Sequence, residues 1–418
     1  MKFKLLTLAL AASIAGAASA QTELKMSLYK QEIAPTINLL TDAFTKANPG
    51  IKITAEIHPD DGGATQAAAA AAGTLPDIIQ TPAYSEVANQ AKNGYLVDLT
   101  KEPVIQKVNQ DLLDGVLYQG KVYALPTDVG TIGILYNKQI FAKLGLKVPT
   151  TYLELQQVAA TLKKNNIIPF AGLLKENWSV GQFVSLLHGE MVAANGGANA
   201  VSKFALEMGV GVGDWGKAVD LKKMFAIMDW YKANMSPDAV NNAWNEEVAE
   251  FATGKAAMVV QGQWFINPVI DAQKAAKTDF VIGFTPFAWS NKASENKFFA
   301  SADSTFAISA QSSKEKQAAA KKFLAWMASP EAIQIWTADY KLVPTFKGAS
   351  LKALPPAFGD ITASIAAKGS VPWEYALAPS ATFEGAIKNG ALDYMLGKIT
   401  PQAMADAVTA SWKANYKP

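Results

Sequence analysis

The chain has 418 residues, no cysteine, two histidines and a formal charge of +2. That excludes a disulfide framework and disfavours a His/Cys metal site, so no metal and no other cofactor is expected. The near-zero charge also speaks against nucleic acid or an anionic membrane surface as partner.

Residues 1–20 read as a secretory leader. Lys2 and Lys4 precede the apolar run from Leu5 to Ile14, which is too short to span a bilayer, and Ala18-Ser19-Ala20 offers a cleavage site before Gln21. Removing this segment takes away two lysines and no acid, leaving the remainder neutral. No later stretch is long and apolar enough to cross a bilayer, and a lipid anchor would need a cysteine. The chain is therefore expected to be exported and released, into the periplasm of a two-membrane cell or, as the other reading, into the medium.

After the leader, strand and helix patterns alternate. Glu23 to Leu28 suggests a strand. Ile37, Leu40, Phe44 and Ala47 share one face of a helix from Thr36 to Lys46, stopped by Pro49-Gly50. Ile51, Ile53, Ala55 and Ile57 alternate with polar residues, as in a half-buried strand. A turn at Asp61-Gly62-Gly63, a helix from Gln66 to Ala72, a short buried strand from Ile78 and a helix from Tyr84 to Lys92 follow. Gly120 marks a turn, Val122 to Pro126 a strand, Thr127 to Thr131 a polar break, and a second apolar strand ends at Tyr136-Asn137-Lys138. Toward the end, Phe323, Leu324, Trp326 and Met327 line a helix, Ser329-Pro330-Glu331 restarts one, and Pro344 breaks it. Such alternation predicts the α/β class, with open and largely parallel sheets covered by helices. The length calls for two lobes. Short breaks at Thr127–Thr131 and Ser301–Ser304 would carry the chain between them.

Several segments carry a family resemblance through their order and spacing. They are Phe44 to Ile53, Ala72 to Ile79, Gly94 to Thr100, the stretch Tyr118 to Asp128 with Leu135 to Lys138, Phe141 to Pro149, Phe251 to Met258, Gly262-Gln263-Trp264 and Ala328 to Ala332. Together they resemble the extracellular solute-binding proteins, family 1, that feed ABC importers: the maltodextrin-binding-like sugar receptors. The resemblance implies a two-lobed periplasmic binding protein fold, each lobe a mainly parallel sheet flanked by helices, with a hinge of several crossovers. On that pattern 21–127 and 302–345 would form the N-terminal lobe. Residues 131–298 and 348–418 would form the C-terminal lobe, and 128–130, 299–301 and 346–347 the hinge. It also implies a monomer that captures a small molecule, a carbohydrate by the family pattern, and docks on the membrane subunits of a permease without catalysing a reaction.

Ligands of doubly wound sheets bind at the carboxyl ends of strands, so the loops there hold the candidates. Asp60 and Asp61 follow the second strand, though an Asp-Gly turn in solvent explains them equally. Tyr84 follows the strand Pro76 to Gln80, where a buried helix-start residue is the alternative. Asp128 stands at the hinge and offers acceptors for two hydroxyls, or caps the hinge. In the segment Tyr29-Lys30-Gln31-Glu32, which departs from the common form of the family, only Glu32 is carried over as a ligand contact. Glu176, Trp178 and Trp264 match family positions that set a carboxylate and aromatic rings against a sugar. Trp244, Asp303 and Trp373 are further candidates. Trp230, Trp326, Trp336 and Trp412 lie in helical patterns and are expected in the core. Ten tryptophans favour a ligand with faces that stack, and 38 basic residues that are all lysine leave no guanidinium clamp for an anion.

Other motifs are set aside. Gly211 to Gly216 fits G-x-G-x-x-G without the strand before it, with Asp214 as a helix cap. Ser313 to Lys316 fits S-x-x-K but reads as a helix start. His188 suits packing or compensation of a helix C-terminus, and Glu246-Glu247 with Glu250 reads as a surface face. Two other functions remain open at this point. One is the same scaffold holding a polyamine, organic anion or peptide, with Asp60, Asp61, Asp128 and Glu176 as carboxylates for a cation. The other is a secreted glycosidase, which needs two carboxyl groups about the scissile bond.

Overall fold

The computed structural model describes residues 21–58, 64–196, 200–209, 213–373 and 381–415. In chain order the strands are β1 (Thr22–Leu28), β2 (Ile51–Ile57), β3 (Ile78–Pro82), β4 (Leu117–Tyr118), β5 (Lys121–Val122), β6 (Ala124–Pro126) and β7 (Val129–Asn137). They continue with β8 (Ile168–Phe170), β9 (Ala256–Gly262), β10 (Ile282–Thr285), β11 (Phe298–Ala302), β12 (Ser304–Ile308) and β13 (Ser370–Val371). One sheet has the order β2-β1-β3-β12-β6. A second has the order β13-β11-β7-β9-β8, with β10 also paired to β7. This is the expected α/β arrangement of two lobes.

The pairing is mixed rather than mainly parallel. β1 runs parallel to β2 and β3, but β12 is antiparallel to both β3 and β6. In the second sheet β7 is antiparallel to β9, β10 and β11. The reason lies in the crossovers. β6 leads out of the first sheet and β7 continues into the second, while β11 and β12 bring the chain back. Outbound and returning segments lie side by side, so they must run in opposite directions.

Each lobe has a dense aromatic interior. The helix Ala34–Ala47 buries Ile37, Leu40 and Phe44 on one face. Phe44 meets Phe323 edge-on at 5.2 Å and Trp326 at 5.7 Å, tying this helix to the helix Lys314–Met327. In the second lobe Trp412 stands edge-on to Phe383 at 4.2 Å. Trp336 and Trp412 are buried as expected, while Trp230 and Trp326 are only partly buried against the core. Asp214 caps a short turn at Trp215–Lys217, and Ser313 caps its helix by accepting from the Lys316 amide. Among the described residues no helix is long and apolar enough to cross a membrane, and no His/Cys/Asp/Glu cluster is disposed to hold a metal.

Two expectations are corrected here. His188 lies mid-way along the helix Asn177–Gly196, so of its two readings packing holds and compensation of a C-terminus does not. Its ring stacks on Trp215 at 4.2 Å, and Nε2 is 2.9 Å from the Trp215 carbonyl oxygen. Glu247 and Glu250 are not surface residues: they are 1% and 7% exposed, on the inner face of the helix Trp244–Ala252. Only Glu246 of that group is exposed, where its carboxylate accepts the Ala243 amide at 3.0 Å.

Replacing the fully buried Phe44 with alanine deletes a ring that holds two helices together. The expected loss is about 3–5 kcal/mol, read from urea unfolding midpoints with an unchanged slope.

Candidate functional site

The chain passes between the sheets at three adjacent places that hydrogen-bond to one another. Thr127 donates its amide to the Ser304 carbonyl, and Asp303 donates to the Asp128 carbonyl. On the other side Val129 donates to Val343 and Thr345 to Thr127, with Asp128 bridging Pro344. Asp128 is completely buried in this junction, and its Oδ1 accepts the Ser304 amide at 2.8 Å.

Around the junction the structure gathers residues from both lobes. From the first lobe, the end of β1 delivers Tyr29 and Lys30, both held by their amides on Gln80 Oε1. Lys30 Nζ lies 2.6 Å from Asp303 Oδ2 and 3.9 Å from Asp128 Oδ2. It also stands over the Tyr29 ring at 5.7 Å and the Trp264 ring at 5.8 Å. Trp264 follows β9 of the second lobe and packs edge-on to Trp373 at 5.9 Å. Both indoles are buried, each 8% exposed, and belong to the edge of the second lobe's core. Tyr84 comes from the first lobe but packs against the core of the second, and its hydroxyl pairs with Ser301. Ser301 in turn accepts the Trp373 amide at 3.3 Å.

Two glycines make this closeness feasible. A Cβ on Gly130 would lie 2.9 Å from the Asp303 Cβ and 3.2 Å from the Trp373 ring. A Cβ on Gly262 would collide with the indole of Trp264, which folds back over that position.

Burial sets the electrostatics. It pushes the Asp128 carboxyl up, to about 7, against the opposing pull of Lys30. Burial alone would lower the Lys30 ammonium, but Asp303, with Tyr29, Tyr340 and Asp128, outweighs it and holds the group charged. Tyr84 is raised to about 12 by burial.

A second group sits at the carboxyl end of the same strand β9. Glu176 Oε2 accepts Trp178 Nε1 at 2.5 Å and Oε1 accepts the Trp244 amide at 3.1 Å. The two rings lie 5.6 Å apart. Behind them, Gln261 donates to Glu247 at 2.8 Å and to Ser179 at 3.1 Å. Burial, with the charges of Glu176 and Glu250 and against the bond from Gln261, raises the Glu247 carboxyl to about 8.

Of the residues expected at the site, Tyr84, Asp128, Trp264, Asp303 and Trp373 therefore converge at the junction, and Glu176, Trp178 and Trp244 form the neighbouring group. Glu32 is exposed in a 3-10 turn at Gln31–Ile33, its charge still felt by Asp128 and Tyr340. Asp60 and Asp61 lie outside the described residues. Lys30, Tyr29 and Ser301 join the site without having been carried forward from the sequence. The signal for Lys30 was its place two residues after β1 ends, where the chain still points along the strand.

The sequence model of the bacterial extracellular solute-binding protein family matches residues 29–334. The chain belongs to this family. Among relatives of this solute-binding protein, a multiple sugar-binding protein of Streptococcus mutans is 27% identical over 310 residues, covering 73% of this chain and 70% of that one. The melibiose/raffinose/stachyose-binding protein MelE of Bacillus subtilis is 24% identical over 303 residues, covering 71% and 67%. In fold, the solute-binding protein is similar to the solved structure of RafE in complex with raffinose, with a TM-score of 0.78 at 20% identity over 95% of this chain and all of that one. Both the family resemblance and the two-lobed α/β fold expected from the sequence hold.

Two outcomes test this geometry. The folded state keeps the Glu247 proton up to about pH 8, whereas an unfolded glutamate loses it near its ordinary value of about 4.3. Its contribution is thus full below that value and lost as pH rises toward 8. Glu247→Gln should narrow the gap between unfolding midpoints at pH 5 and pH 8 relative to wild type; an unchanged gap would assign the carboxyl an ordinary pKa. Gly262→Ala should displace Trp264 and lower the Trp264 contribution to intrinsic fluorescence while leaving the far-UV circular dichroism unchanged.

Proposed function

We propose that this protein is the substrate-binding component of an ABC importer, capturing a sugar or oligosaccharide between its lobes and delivering it to the permease. The observation that carries this reading is the meeting of indole faces, Trp264 and Trp373, with carboxyl groups, Asp128 and Asp303, on hydrogen-bonded crossovers. Pyranose rings present C–H faces that pack on indole, and hydroxyls that pair with carboxylates. A buried acceptor left without its partner costs about 1–3 kcal/mol, which is how such a site selects hydroxyl geometry. Asp128 Oδ2 has no hydrogen-bond partner among the described residues and is such an acceptor. The names of the two curated relatives, both sugar-binding, support the same ligand class.

The rest of the reading follows from this role. Residues 1–20 are taken as a leader removed after Ala20, and the mature chain as a monomer of the periplasm that reaches the membrane only through its permease. The N-terminal lobe is assigned to 21–127 and 302–345, the C-terminal lobe to 131–298 and 348–418. Binding would draw the lobes together about the crossovers. No catalytic role is assigned to the carboxyl groups of the cleft.

A thermal-shift screen against neutral mono-, di- and oligosaccharides, with polyamines and organic acids as controls, tests this. A ligand at 100-fold over its Kd adds about 2.7 kcal/mol and raises the midpoint. One sugar class should do so, and Trp264→Ala should abolish the rise. A shift with the controls alone would overturn the sugar reading and leave the scaffold.

A further inference from the structure

Resting on the sugar-receptor reading, we propose that Lys30 is a built-in counter-ion that makes the cleft select neutral, hydroxylated ligands and reject amine-bearing ones. The acidic floor is already matched to a cation. Lys30 Nζ is 2.6 Å from Asp303 Oδ2 and 3.9 Å from Asp128 Oδ2, with the faces of Tyr29 and Trp264 both within 6 Å. Two carboxyl groups and aromatic faces are the surroundings that bind an organic ammonium. Here the ammonium belongs to the protein.

Burial makes this arrangement selective. The Lys30 side chain is 11% exposed, that of Asp303 13% and that of Asp128 0%. An ammonium arriving in the cleft would meet Lys30 in poorly solvated surroundings, where like charges repel far more than in water. It could pair with Asp303 only by evicting Lys30. A hydroxyl carries no such penalty: it donates to Asp128 Oδ2 or accepts from Lys30. The tether is short and fixed, because the Lys30 and Tyr29 amides both bind Gln80 and the Tyr29 hydroxyl lies 3.2 Å from Ser304 Oγ. The ammonium is therefore positioned by β1 and β3 rather than by a mobile loop.

Removing the charge should invert the preference. Isothermal titration of wild type, Lys30→Met and Lys30→Arg would use raffinose and maltotriose as neutral probes. The glucosamine disaccharide and spermidine serve as amine probes. Wild type should favour a neutral sugar over the amine probes by at least tenfold, Lys30→Arg should keep that order, and Lys30→Met should shift the ratio toward an amine probe by at least tenfold. Should Lys30→Met not fold, Asp303→Asn gives an independent reading. It leaves Lys30 less compensated and should admit a glucuronate-bearing disaccharide that wild type rejects. A ratio within twofold of wild type in Lys30→Met, or no acidic sugar bound by Asp303→Asn, overturns this inference while the sugar-receptor reading stands. Wild type that binds amine probes and no neutral sugar overturns both.

Discussion

Everything in this molecule depends on the hydrogen bonds that join its three crossovers. Residues 127–129 lie between 303–304 on one side and 343–345 on the other, and backbone bonds run across both seams. The two sheets are thus joined at a narrow ribbon of hydrogen-bonded backbone. Asp128 is the residue that cannot be exchanged freely there. Its carbonyl and carboxyl both face the returning strand, and no water-facing surface relieves its burial. Asp303 belongs to the same ribbon, so its ion pair with Lys30 is built directly onto the crossovers.

Much of this was legible in the sequence. The strand Ile51–Ile57 and the helix Ala34–Ala47 announced themselves through clean periodicity, because each buries one face and wets the other. The crossovers were legible as polar breaks between apolar runs. Trp264 stood out because it matches a family position just after a strand and a glycine. What escaped notice has a common cause: burial of charge leaves no periodic signal. Glu247 and Glu250 sit beside Glu246 in one helix, and only tertiary packing decides that the first two turn inward. At the end of β1 the segment departs from the common form of the family, so only Glu32 was carried over and Lys30 was not. The chain instead turns at Gln31, exposing the glutamate and leaving the lysine aimed along the strand. Trp215 was hidden in a glycine-rich motif although it is fully buried against His188.

The cleft combines features that separately mean little. Buried carboxyl groups can be structural, and indoles at a lobe boundary can be packing. Here they converge at the carboxyl ends of strands, on hydrogen-bonded crossovers and in a chain of the solute-binding family, which is what supports reading them together. The second group, Glu176 with Trp178 and Trp244, repeats the same chemistry at the end of the strand that carries Trp264.

The most direct test is equilibrium dialysis of the purified protein against neutral oligosaccharides, followed by chromatography of the retained sugar. The account predicts one sugar bound per chain and recovered chemically unchanged. Retention of no sugar across the panel, or recovery of cleaved products, would contradict it.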